Sequence, residues 1–220
     1  MVALPGNNYV ENGNYYDIIA NYTSTTTLRG KVGVAADAAA VALMKDFISD
    51  TINQFKTEGN FDNLTPENIA AMGFDKGRKG HLRITYLVAA PARMVSYIFT
   101  IYTDTLGTQR TTSYKTFTFD TETGTPLSLT DVFSPGTHYL EKLSVLSRAK
   151  LSVAIGKKSD TNSIERGTTP EGKNFENFYL DGTSLDLLNP PYQVPPNSAG
   201  PQALNVPLSE LSSILKPIYQ

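Results

Sequence analysis

Ser113-Tyr114-Lys115-Thr116-Phe117-Thr118-Phe119-Asp120, followed at once by Thr121-Glu122-Thr123-Gly124, is the stretch that decides the fold class. Tyr114, Thr116 and Thr118 alternate with Lys115, Phe117 and Phe119. A period of two built from aromatic and β-branched residues is the pattern of a strand with two unlike faces. The Thr-Glu-Thr-Gly run is turn chemistry, and Pro126–Leu129 then reads as a short return strand. Upstream, Met94–Thr105 carries Tyr97, Phe99 and Ile101 on one face, and His81–Ala90 carries Leu82, Ile84 and Tyr86. Strands at such short spacing leave no room for crossover helices, so this middle region predicts an antiparallel meander.

Helices flank the meander. Val41, Met44, Ile48, Ile52 and Phe55 recur at spacings of three and four, the apolar stripe of one long helix. Asp37 is its expected N-cap and Gly59 its expected stop. Thr65-Pro66 and Gly73 bracket a short helix. Tyr15–Thr27 predicts a first strand, and residues 1–14 a flexible lead-in. On the C-terminal side, Leu129–Phe133 predicts a helical turn. Thr137–Ile155 predicts a second long helix with Leu140, Leu143, Leu146 and Leu151 near one face. Lys157–Asn174 is polar and reads as a mobile surface loop, open to a contact role. Phe175–Leu188 predicts a hairpin turning at Asp181-Gly182. Ala203–Val206 predicts a last strand, and Leu208–Leu215 a last helix. Strands grouped between segregated helices mean α+β: an antiparallel sheet with two long helices and a C-terminal hairpin–strand–helix unit. Residues 15–216 are expected to form a single domain.

Composition narrows the function classes. The chain has 220 residues, 40% of them hydrophobic and 18% charged, with a net charge of −2. That length can bury a core without covalent staples. No basic field exists to attract nucleic acid or anionic lipid. No apolar run approaches a membrane span, so no integral membrane segment is expected. Met1-Val2-Ala3-Leu4-Pro5-Gly6 lacks the basic start and apolar core of an export leader, so a leader or anchor of an exported form would lie outside these residues. With no cysteine, disulfides, thiol catalysis and thiolate metal sites are excluded. No cofactor, no metal and no oligomer beyond a monomer are expected.

Catalytic signatures are absent. The two histidines, His81 and His138, have no ligand-spaced neighbours and read as surface or half-buried imidazoles. There is no Gly-x-Ser-x-Gly elbow, and Gly30-Lys31-Val32-Gly33 is too short to cradle phosphate. Asp17, Asp104, Asp120, Glu122, Asp131, Asp181 and Asp186 lie in or beside strands. Two of them could converge as a glycosidase-like pair, the one enzymatic reading left open. Turn and cap roles account for most of them.

The most unusual stretch is Asn189-Pro190-Pro191-Tyr192-Gln193-Val194-Pro195-Pro196-Asn197-Ser198-Ala199-Gly200-Pro201. Five prolines rule out a helix or a central strand there, and Tyr192 and Val194 are spaced to anchor an ordered connector. With Val206-Pro207-Leu208-Ser209-Glu210-Leu211 it resembles the C-terminal signature of the RsiV-like domain family. Tyr114-Lys115-Thr116-Phe117, Leu127-Ser128-Leu129-Thr130-Asp131-Val132-Phe133 and Phe175-Glu176-Asn177-Phe178-Tyr179-Leu180 are similar to further blocks of that family, with subregions at about 15–120 and 121–216. The family includes an anti-sigma factor's extracytoplasmic domain, a domain attached to some peptidoglycan deacetylases and a secreted mycobacterial immunogenic protein. The resemblance implies an exported, non-catalytic bacterial binding domain whose partner is a protein such as lysozyme or a cell-wall component. The alternatives are a peptidoglycan-acting enzyme using a carboxylate pair and a secreted immunomodulatory antigen. Where family members often carry Gly-Gly-x-His, this chain has Leu106-Gly107-Thr108-Gln109-Arg110, so no role of that histidine carries over. The expected binding residues are Gln109, Arg110 and Tyr114 around that loop, and Tyr192 and Gln193 on the proline segment; for Tyr192 a structural plug is the stronger reading.

Overall fold

Alternating side chains let a strand pack on two faces at once, and the middle of this chain uses both. The computed structural model describes residues 6–91, 93–106, 110–155, 161–189 and 202–219. Six strands form the first sheet in the order β1-β2-β3-β4-β5-β6: β1 Asn7–Asn12, β2 Tyr16–Tyr22, β3 Gly80–Ala89, β4 Met94–Asp104, β5 Thr111–Asp120 and β6 Pro126–Leu127. From β3 to β6 every pairing is antiparallel, so the expected meander is present.

Two features of this sheet depart from the expectation. Residues 7–12, read as part of a flexible lead-in, are an edge strand paired antiparallel with β2. Its Asn-rich sequence has little strand propensity; Glu11 fastens it by accepting hydrogen bonds from Tyr16 at 2.6 Å and from Lys56 at 2.7 and 2.8 Å. Next, β2 pairs parallel with β3. A parallel pair needs a long crossover, and residues 23–79 supply it through α1 Arg29–Val32, α2 Val34–Gly59 and α3 Pro66–Met72.

The helix α2 lies on the sheet face bearing Leu82, Ile84, Tyr86, Tyr97, Phe99 and Phe119. Its Met44, Ile48, Ile52 and Phe55 close the first core. Asp37 is not its N-cap: the helix begins three residues earlier, after Gly33. Asp37 is instead buried and accepts hydrogen bonds from the main chain and hydroxyl of Thr26. That contact turns the threonine run, expected as strand, into a capped loop. The helix does end at Gly59, as expected, but the left-handed C-cap is Asn60. A Cβ on Gly59 would sit 2.1 Å from the Phe61 ring, so glycine is there to let that ring close the core. In α3 the expected cap is present: Thr65 and Asn68 form a reciprocal capping box, with Gly73 left-handed at the end.

The second sheet has the order β7-β8-β9, with β7 Phe178–Leu180, β8 Ser184–Asn189 and β9 Gln202–Pro207. Asp181 accepts main-chain hydrogen bonds from Thr183 and Ser184, which centres the hairpin turn on Gly182-Thr183, one residue beyond the expected dipeptide. The helix α4 Tyr139–Ile155 packs Leu143 and Leu151 into a second core with Leu185, Leu187, Leu204 and Val206. Residues 161–174 are not a surface loop. They form α5 Thr161–Gly167 and a single 3-10 turn, with Ile164, Thr168 and Asn174 buried. The last helix is only α6 Leu208–Leu211; beyond it Leu215 makes a bridge back to Phe133. A seam joins the sheets: Thr116 donates its N–H to Asn177 Oδ1 at 3.1 Å and accepts from the N–H of Phe178 at 3.1 Å.

Candidate functional site

In β5, the N–H of Thr116 points away from β4, toward Asn177. Thr118, two residues on, faces β6 with its main chain. Main-chain direction alternates along a strand, so Thr112 and Tyr114 also turn their N–H and C=O outward. Among the described residues no strand pairs with β5 before Thr118. Among the described residues this stretch is an open sheet edge.

Beside that edge lies a cleft of about 390 Å³ between α2 and the β4–β5 surface. Phe47 and Phe55 line it from the helix, with Thr51, Gln54 and Glu58 nearer the rim; Ile101, Ser113 and Lys115 line it from the sheet. Glu176 and Asn177 close its far end. Phe47 is held edge-on to Phe99 and Phe117, 5.7 and 5.5 Å between ring centres. The Lys115 ammonium lies over the Phe117 ring. The cleft thus has an aromatic floor and a polar rim of mixed charge.

Of the expected site residues, Tyr114 borders this cleft and packs on a small cluster of Ala89, Ile98, Tyr179 and Leu188 between the sheets. Arg110 is exposed and forms a 2.8 Å ion pair with the buried carboxylate of Asp104. Gln109, Tyr192 and Gln193, with most of the proline segment, lie outside the described residues. The helix side of the cleft, Phe47 to Glu58, escaped sequence reading because those residues look like the ordinary flank of an amphipathic helix.

The strand carboxylates are all engaged in caps, turns, hydrogen bonds or ion pairs, two of them with the same arginine. Asp17 pairs with Lys79 at 2.8 Å, and Asp120 and Glu122 share Arg93 at 3.2 and 3.0 Å. Asp131 caps the turn at Ser128, and hydrogen bonds from Ser128 hold its carboxyl below the usual range. Asp186 is buried and accepts from Ser184 and Asn205; burial pushes its carboxyl up. The facing Tyr179 hydroxyl is pushed up to about 12, by burial first and by the Asp186 charge second. His81 is exposed on β3, and His138 is exposed beside Glu141. Among the described residues no three His, Asp or Glu side chains group as metal ligands, and no helix is long and apolar enough to cross a membrane.

The stretch from the Ser128–Asp131 cap to β9 and the start of α6 makes up the second sheet and its helices. Residues 130–209 match DUF3298, a family described as a protein of unknown function. Among curated proteins the chain is similar to the peptidoglycan-N-acetylmuramic acid deacetylase PdaC of Bacillus subtilis, 29% identical over 143 residues, 64% of this chain and 31% of that protein. It is also similar to the immunogenic protein MPT64 of Mycobacterium tuberculosis, 26% identical over 132 residues, 60% of this chain and 57% of that one. The chain therefore spans less than two thirds of either relative. Two solved DUF3298 structures share the fold: one from Bacteroides fragilis (TM-score 0.63, 15% identical, 98% of this chain and 94% of that one) and one from Pseudomonas aeruginosa (0.57, 14%, 98% and 96%). The likenesses to a peptidoglycan deacetylase and to a mycobacterial immunogenic protein agree with that part of the sequence resemblance.

Proposed function

We propose that this chain is a non-catalytic, extracytoplasmic bacterial binding domain that takes a protein partner on the open edge of β5. The observation carrying this reading is the pairing of outward main-chain groups at Thr112 and Tyr114 with a cleft at their side. An extended segment added to such an edge gains affinity from main-chain hydrogen bonds and specificity from alternate side chains that enter the cleft. The engagement of the strand carboxylates in caps, turns and ion pairs, with Asp120 and Glu122 both held by Arg93, supports binding over paired-carboxylate catalysis. The relatives' names, a peptidoglycan deacetylase and an immunogenic protein, support an envelope or secreted location. The resemblance to the RsiV-like family makes lysozyme the first partner to test.

Calorimetric titration with hen lysozyme tests this. Saturable binding is expected, and Thr112→Pro should weaken it by about tenfold by removing one edge donor, while Thr112→Val leaves it unchanged. No heat of binding sinks the lysozyme assignment; equal binding by the proline variant sinks the edge mode.

A cell-wall ligand is the second reading, favoured by the likeness to a protein named for peptidoglycan. Pull-down on insoluble peptidoglycan tests it, and recovery of the chain only in the supernatant removes it.

A further inference from the structure

A second groove, of about 410 Å³, runs along the opposite flank of α2, against β1 and β2. Its floor is Ile48 and Ile52, and the rings of Tyr9 and Tyr22 form the sheet side. The two lysines of the groove are in different electrostatic states. Lys56 is neutralised by both carboxylate oxygens of Glu11, which also accepts from the hydroxyls of Tyr9 and Tyr16. These bonds hold the Glu11 carboxyl down at about 2, so the group stays ionised and Tyr9 stays fixed. Lys45 sits one helical stretch away, its ammonium 5.5 Å from the centre of the Tyr22 ring. Among the described residues no carboxylate lies within ion-pair distance of it. Ser49 and Asn53 are exposed on the same helix face, one turn apart, between the two lysines.

We infer that this groove binds a carboxylate-bearing sugar unit of a glycan, with Lys45 as the carboxylate-recognising residue. A pyranose has an apolar C–H face for the tyrosine rings and the isoleucine floor, and hydroxyl or amide groups for Ser49 and Asn53. Its acid would complete the one cation of the groove that holds no acid. The groove volume falls in the range of small-ligand sites, roughly 300–1,000 Å³. A fatty acyl chain would leave the polar rim unmatched, and a phosphodiester polymer would find one available cation where it needs several. The site is separate from the β5 edge, so either assignment can fail without the other.

Two-dimensional ¹⁵N NMR titration of the whole chain with N-acetylmuramic acid and with N-acetylglucosamine, which lacks the carboxylate, decides the matter. Expected are saturable shifts at the amides of Tyr9, Tyr22, Lys45 and Asn53, with N-acetylmuramic acid about tenfold tighter, the size of one charge-assisted hydrogen bond. Lys45→Met should remove that preference and Lys45→Arg should keep it. The exposed position of Lys45 leaves the fold intact in both, which the unchanged remainder of the spectrum checks. Absence of saturable shifts in the groove, equal affinity for the two sugars, or a preference that survives Lys45→Met each overturns the inference.

Discussion

The two sheets are built on different plans. In the first, rings carry the core: Phe55, Phe61 and Phe74 interlock with Tyr15 and Tyr16, and Phe47 joins Phe99 and Phe117 to Tyr86 and Tyr97. The second core is mostly leucine, with one stacked pair of rings, Phe133 on Tyr139. Coverage differs as well. Every residue of β7 is buried, and β8 is buried from Ser184 to Leu188, because the second sheet has helices and the first sheet on its two faces. Six strands, by contrast, span roughly 24 Å at their usual spacing, and a single helix is only about 10 Å across. One long helix runs along that sheet, with α1 and α3 adding only Val32, Ile69 and Met72, and the two clefts lie along the flanks of α2. Both clefts proposed as binding surfaces thus lie on the sheet that is under-covered.

The sharpest test of this difference is truncation in each core. Phe99→Ala should cost about 3–5 kcal/mol and Leu185→Ala about 2–5 kcal/mol in chemical denaturation. Because Met94 of β4 belongs to the second core, both variants should lower the midpoint of one shared transition. Two separated transitions would show that the sheets are independent units.

A smaller effect is expected at the seam. Asn177→Ala orphans the buried N–H of Thr116 and should cost about 1–3 kcal/mol. Hydrogen exchange should then speed up at Thr116 and Phe178 ahead of the strand centres; unchanged protection there would take the seam out of the coupling.

The smallest effects are those of pH, and the two sheets differ in sign. In the first, the folded Glu11 is depressed from an ordinary 4.5 to about 2. Its contribution is present above 4.5 and is lost as pH falls through about 2, so Glu11→Gln should flatten acid unfolding in that window. In the second, folding raises the Asp186 carboxyl above its ordinary 3.8. The fold favours its protonated form, so its contribution is present below 3.8 and is lost as pH rises through the folded value. Asp186→Asn should therefore be more stable than the parent at neutral pH, with the gap closing in acid. Denaturation midpoints measured across pH check both; a neutral-pH penalty for Asp186→Asn would contradict the burial argument.

What the chain determined by itself is local. The alternation in Ser113–Asp120, the stripe from Val41 to Phe55, the Thr65–Gly73 brackets and the Asp131 cap are legible because each depends on neighbours within a turn or a pleat. Tyr114 could be singled out on the same terms, as an aromatic on a strand beside an altered loop, and it borders the β5 cleft. The tertiary structure decided the rest. That β2 pairs parallel with β3 depends on where a crossover of more than 50 residues delivers the chain, and no local preference encodes it. That Asn7–Asn12 is a strand follows from an edge to pair with and from Glu11 reaching Lys56, 45 residues away. Lys45 has the same helical propensity wherever it sits. The packing of α2 against β1 and β2 places it over the Tyr22 ring at the margin of a groove.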